Sequence, residues 1–158
     1  MNKTLIEQAA EQLRAAESNS LPCDPIRDHL SELGVEKRLQ TAYQIKQFNH
    51  AHWCSHKQSC GVKIGMTSPF IQQLFDITEP DYGHLYQDMQ LQPGNQLSLK
   101  QLIAPKLEVE WALTLNRDII EPLDSAAELM KYVDEIKIAF EIVDSRIKNW
   151  DVQAVDLI

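Results

Sequence analysis

Glycine is scarce, five in 158 residues, and none of it builds a Gly-rich phosphate loop. The nucleophile elbow of serine hydrolases and the paired cysteines of a redox motif are missing as well. Cysteine itself is limited to Cys23, Cys54 and Cys60, an odd number that argues for reduced thiols in a cytoplasm over a disulfide framework. No run of eighteen or more apolar residues occurs, so no segment reads as a membrane-spanning helix. The opening Met1-Asn-Lys-Thr-Leu-Ile-Glu-Gln turns polar too early for a signal peptide. Basic residues are outnumbered, 15 against 23 acidic, and the net charge of −8 speaks against nucleic acid or an anionic membrane as partner. Internal repeats and low-complexity stretches are absent too.

What is present is ordinary in bulk and unusual in one place. With 44% hydrophobic and 24% charged residues, 158 residues suffice for one domain with a real core. The unusual place is Pro105-Lys-Leu-Glu-Val-Glu-Trp-Ala-Leu113, where Leu107, Val109, Trp111 and Leu113 alternate with Glu108, Glu110 and Ala112. That period of two predicts a strand, with both glutamates on one face and a strongly apolar face opposite. The apolar face predicts burial, so the carboxylate face would border a core. Two carboxylates that close resist ionising together unless a cation lies between them, and a hard divalent ion resolves the conflict. The plainer reading is a strand with one solvated face.

Taken in order, Thr4-Leu-Ile-Glu7 fits a capping box, and Ile6, Ala9, Ala10, Leu13 and Ala16 then recur at helical spacing. Ser18-Asn-Ser-Leu-Pro22 ends that helix, and Cys23-Asp-Pro-Ile26 reads as extended. A second helix follows Gly34, with Leu39, Ala42, Tyr43, Lys46 and Trp53 near one stripe. If it persisted far enough, His52, His56 and Cys60 would share a face and could offer ligands to zinc; no second Cys/His cluster completes such a site, and the plainer reading is a His-rich helix end. Gly61-Val-Lys-Ile-Gly65 predicts a strand that presents Lys63 between two glycines, either as a ligand site with open backbone beside it or as an edge-strand lysine that blocks aggregation. Ser68-Pro69 reads as a helix start, with Phe70, Leu74 and Phe75 as its apolar face. Thr78-Glu-Pro-Asp-Tyr-Gly83 reads as a turn in which Asp81 bonds its own backbone. Ser125-Ala-Ala-Glu128 predicts a short helix to about Val133. A last strand alternates Ile136, Ile138, Phe140 and Ile142 with Lys137, Ala139, Glu141 and Val143. The pattern is α+β: a helical region over residues 1–60 and a β-rich region over 61–158 within one structural domain.

Six ordered blocks then carry a resemblance: Pro25-Ile-Arg27, Ala42-Tyr43-x-Ile45, Gly61-x-Lys-Ile-Gly-x-Thr-Ser68, Pro80-Asp-x-Gly-x-Leu85, Pro105-x-x-Glu-x-Glu-x-Ala112 and Glu141-Ile-Val-Asp-Ser-Arg-Ile147. From about Pro22 onward the chain resembles the 2-oxopent-4-enoate (2-keto-4-pentenoate) hydratase branch of the fumarylacetoacetate hydrolase superfamily. The resemblance implies part of a mixed-β roll of that superfamily's catalytic-domain type, truncated at its C-terminal end, so that 61–158 is an incomplete catalytic region. It implies Mg or Mn held by Glu108, Glu110 and Glu141, with Lys63 and Asp81 matching the active-site lysine and acid. It further implies water addition to 2-hydroxypenta-2,4-dienoate (2-oxopent-4-enoate) in aromatic-compound catabolism, giving 4-hydroxy-2-oxopentanoate, by a cytoplasmic homo-oligomer. Two superfamily alternatives stand beside it, an oxalocrotonate-type 2-oxo-3-enedioate decarboxylase and an acylpyruvate hydrolase. The decarboxylases tend to lack an acid at the position of Asp81, and the hydrolase needs a water-activating dyad not evident here. A fourth expectation is of another class: a catalytically silent fragment, or a subunit dependent on a partner.

Overall fold

A computed structural model describes residues 3–158. The fold is α+β, and the chain separates into two compact units. One comprises the residues up to Ala104 together with Ser145–Ile158; the other is Pro105–Asp144.

The first unit is built on two helices. Helix α1, Leu5–Asn19, starts at a complete capping box: the Thr4 hydroxyl accepts from the Glu7 amide, and the Glu7 carboxylate accepts from the Thr4 amide. It stops where Ser20 turns left-handed, at φ 51°. A 3₁₀ turn at Ile26–Leu30 leads to α2, Val35–Cys54, capped by Gly34. Small alanines let the backbones approach, and Ala9, Ala10, Ile26, Leu30, Ile45 and Ile147 form the core. The buried positions of α2 are Thr41, Ala42 and Ile45, so the core stripe is rotated from the expected one and leaves Tyr43 and Lys46 on another flank. The C-terminal end is anchored by charge: the Arg27 guanidinium donates to Asp156, whose side chain is fully buried, and to Asp151. Those bonds raise the Arg27 pKa, the Asp156 hydrogen bond most of all.

Strand β1, Ser59–Gly65, pairs antiparallel with β2, Asp81–Tyr86, and α3, Pro69–Leu74, lies between them in sequence. Three expectations need correction here. Asp81 opens a strand and does not sit in a turn bonded to its own backbone, because the ladder with Gly65 takes up its backbone. Phe70 and Leu74 are exposed and form no buried face. Proline does start α3, yet the Ser68 side chain caps nothing.

The second unit is a long antiparallel pair, β3, Pro105–Leu115, with β4, Val133–Asp144, joined through the short α4, Ala126–Leu129. Ser125 caps α4 as expected, although the helix ends four residues short of Val133, which already belongs to β4. The expected burial of the β3 apolar face is overturned. Trp111 is 70% exposed and Phe140, on the same face, 68%. Alternation decides which side of a strand is apolar, whereas burial needs a second layer, which this two-stranded unit does not itself supply.

Candidate metal centre and acid–base pair

The β3–β4 register is decisive for the carboxylates. Glu108 lies directly opposite Glu141 and Glu110 opposite Ala139, so all three glutamates emerge from one face. Each offers an oxygen within 4.8 Å of the other two. The pair Glu108 and Glu110 is exposed and Glu141 half-buried. Three like charges so close repel, and like charges facing each other across a ladder destabilise it. Around them Ala112 and Ala139 leave room, and the remaining positions of that face carry Lys106, Thr114, Glu135, Lys137 and Val143. All-oxygen donors with a summed charge of about −3 fit a hard divalent cation, leaving positions for water or an oxygen-rich ligand.

The other two expected residues sit in the first unit, on the β1–β2 pair. Lys63 is opposite Gly83 and Asp81 opposite Gly65, so lysine and acid are diagonal neighbours on one face. The two glycines matter physically. A Cβ at Gly83 would stand 3.2 Å from both Cγ and Cε of Lys63, so a side chain there would crowd the lane along which the lysine stem lies. At Gly65 the nearest atom to such a Cβ is the Lys63 Nζ, at 3.4 Å, so the ammonium reaches over the residue that pairs with Asp81.

Asp81 is buried and held from α2. Its Oδ1 accepts from Lys46 Nζ at 2.7 Å and from the Tyr43 hydroxyl at 3.2 Å. Lys46 also donates to the Tyr82 carbonyl, and its ammonium lies 4.8 and 4.3 Å from the ring centres of Tyr43 and Tyr82. Burial lowers the Lys46 pKa, opposed by its bond to Asp81. Burial and then the Asp81 charge push the Tyr43 hydroxyl up to about 12, so it stays a donor. Sequence reasoning placed Lys46 on a helix stripe and gave it no role. The available signal was Tyr43, Lys46, Gln47 and His50 together, too polar a flank for a core-facing one.

The His-rich helix end has a different outcome from the zinc geometry considered for it. The helix stops at Cys54, and Cys60 belongs to β1, so the shared helical face does not exist. His50 instead stacks on His84 with ring centres 3.5 Å apart and an interplanar angle of 11°. It also shares a hydrogen bond of 2.9 Å with the Tyr86 hydroxyl. Burial, then the charges of His50 and Lys46, lower the His84 pKa, and its Nε2 is buried without a partner.

Comparison with known proteins bears on what this arrangement serves. No family model matches the chain. Over 153 residues, 96% of its length, it is 35% identical to 2-keto-4-pentenoate hydratase 2 of Dechloromonas aromatica (strain RCB). The chain is a homologue of the 2-keto-4-pentenoate hydratases. It is also 30% identical over 159 residues to 2-hydroxyhexa-2,4-dienoate hydratase of Comamonas testosteroni, covering 99% of the chain and 59% of that protein. Among solved structures, 4-oxalocrotonate decarboxylase of Pseudomonas putida G7, complexed with magnesium and adipate, superposes with a TM-score of 0.87 at 20% identity. That superposition covers 99% of this chain and 60% of the decarboxylase, and it establishes the shared fold. The chain spans 57% of the Dechloromonas protein's length. No helix among the described residues is long and apolar enough to cross a membrane.

Proposed function

We propose that the chain carries the metal-binding and acid–base residues of a hydro-lyase that adds water to 2-hydroxypenta-2,4-dienoate (2-oxopent-4-enoate), by protonation at the far carbon and conjugate addition of water at C4, to give 4-hydroxy-2-oxopentanoate. The observation that carries this reading is the Glu108, Glu110 and Glu141 trio, one oxygen of each within 4.8 Å of the others, in a chain 35% identical to a named hydratase. The trio would hold Mg or Mn. Such an ion, when bound, supplies Lewis acidity toward the carboxylate and 2-oxygen of a 2-oxo acid. The divalent preference follows from hard oxygen donors, and magnesium in the decarboxylase structure is in keeping with it.

The chain's own side chains do the rest. Lys63, whose stem lies along Gly83, sets a positive charge where negative charge grows on the substrate. Asp81 exchanges a proton with the substrate carbon skeleton or with the added water. Water addition at C4 then needs no group to leave, and the 2-oxo acid is retained in the product. The working assembly is a cytoplasmic homo-oligomer acting in aromatic-compound catabolism, without nucleic acid or membrane partners.

The decarboxylase alternative draws on the fold likeness, but the hydratases are nearer in sequence, at 30–35% against 20%. The test is incubation with 2-hydroxypentadienoate and Mg or Mn, following loss of dienol absorbance. Metal-dependent loss in the wild type that falls about 100-fold or more in Lys63→Met supports the reading. Carbon dioxide released from a 2-oxo-3-enedioate would favour the decarboxylase, and an inert wild type at every metal concentration would favour a silent or partner-dependent chain.

A further inference from the structure

We propose that Lys46 is a positioning residue for Asp81: it keeps the carboxylate ionised and occupies Oδ1, so that Oδ2 is the oxygen that exchanges the proton. The inference rests on the reading of Asp81 as the site's acid and goes beyond it by naming the group that controls that acid, and the oxygen used.

The geometry is specific. Lys46 and Asp81 side chains are each only 9% exposed, and their ion pair is 2.7 Å long. A buried carboxylate without a cation would take up a proton in preference to staying charged. Both hydrogen bonds to the carboxylate, from Lys46 and from Tyr43, fall on Oδ1, and Oδ2 carries neither. The lysine cannot wander. Its ammonium is bonded to the Tyr82 carbonyl and lies against the rings of Tyr43 and Tyr82. Three fixed acceptors or faces around one ammonium amount to pre-organisation, which a proton-exchanging group needs if its geometry is to persist through turnover.

Other charged and titratable groups face the same spot. Tyr43 and Lys46 come from α2, Tyr82 and His84 from β2, Lys63 from β1, and Glu79 from the segment just before β2. Lys46 donates to Asp81 Oδ1 at 2.7 Å. Lys63 acts on Lys46 by repulsion, which disfavours the Lys46 charge; the bond to Asp81 favours it. The arrangement therefore separates two lysines by task. Lys46 serves the acid, and Lys63 keeps the substrate-directed role proposed for it above.

The experiment compares wild type with Lys46→Met, Lys46→Gln and Lys46→Arg, with Asp81→Asn as the assignment control. The direct readout is the ¹³C carboxyl titration of Asp81, which needs no turnover. In Lys46→Met and Lys46→Gln the titration midpoint is expected to rise by about one unit or more, and in Lys46→Arg to stay near wild type. The second readout is dienol hydration across pH. The acidic limb of kcat should move up with the titration in the two neutral variants, KM should change little, and Lys46→Arg should recover most of the rate. An unmoved Asp81 midpoint in both neutral variants overturns the inference, whatever the rates. So does a moved midpoint with an unmoved kcat profile in an active enzyme. Full hydration activity in Asp81→Asn would instead sink the assignment of Asp81 as the acid, and with it any catalytic use of Lys46. Lys46→Gln guards against misfolding, since it keeps a donor for Oδ1 while removing the charge. The double variant Lys46→Met/Asp81→Asn, which leaves neither charge of this pair, should melt above Lys46→Met.

Discussion

Replacing Glu108 by Gln should make the protein more stable without metal and almost indifferent to it. In the metal-free chain, Glu108 faces Glu110 and Glu141 with oxygens within 4.8 Å. At that distance two unit charges repel by about 0.9 kcal/mol in the dielectric of water, the right limit for exposed groups, and counterions at physiological salt reduce this further. Relieving two such contacts is worth about 1 kcal/mol, or roughly 2–4 °C in Tm for a chain of this size. Bound metal reverses the order. At a metal concentration about 100 times Kd the wild type gains about 2.7 kcal/mol, roughly 5–10 °C. Losing one of three anionic donors and about 100-fold in affinity leaves Glu108→Gln with about 0.4 kcal/mol at the same concentration. Thermal melts followed by circular dichroism, with and without Mg or Mn, should therefore cross over: variant above wild type in chelator, below it in metal. An equal upward shift of both proteins with metal would refute the ion site. A variant that melts lower in chelator would refute the repulsion on which the site's logic depends.

Arg27→Met should be costly, by roughly 3 kcal/mol in urea unfolding, because it strands the fully buried Asp156 carboxylate; a loss below about 1 kcal/mol would mean the C-terminal anchor is dispensable. Trp111→Ser should change stability by less than about 1 kcal/mol, since the indole is 70% exposed; a loss of several kcal/mol would show that something covers this face in solution. Stability should also fall on acidification through His84. The His84 pKa is lowered from 6.5 in the fold, so the unfolded chain binds the proton more tightly. The contribution is complete above about pH 6.5 and is lost as pH drops below it, and His84→Gln should flatten that slope in urea melts at pH 5.5–7.5.

Much of the candidate centre could be read from the chain because strands obey a two-residue period. Alternation in β3 and β4 put Glu108, Glu110 and Glu141 each on the face opposite a run of large apolar side chains, and matching apolar faces put all three on one side. Helix starts were legible for a similar reason, since a capping box such as Thr4 with Glu7 is local chemistry completed within one turn. The motifs Gly61-Val-Lys-Ile-Gly65 and Pro80-Asp-Tyr-Gly83 left Lys63 and Asp81 ambiguous by themselves, and only the family resemblance singled them out as lysine and acid.

Pairing across distance was decided by the fold. Either of two neighbouring registers, each slipped by two residues, would have kept Glu141 on the correct face while placing it opposite Lys106 or Glu110; the observed ladder sets it against Glu108. Asp81 looked like a turn residue because Pro80 and Gly83 flank it, and only the ladder with β1 made it the first residue of a strand. Lys46, thirty-five positions earlier, carries no local mark of a partner; packing of α2 against β2 removes both charges from water and so binds them together. Trp111 shows the converse, since an apolar face has no power to create the layer that would bury it. Period and capping are properties of neighbouring residues and travel with the sequence, while register, burial and ion pairing depend on which distant surfaces meet.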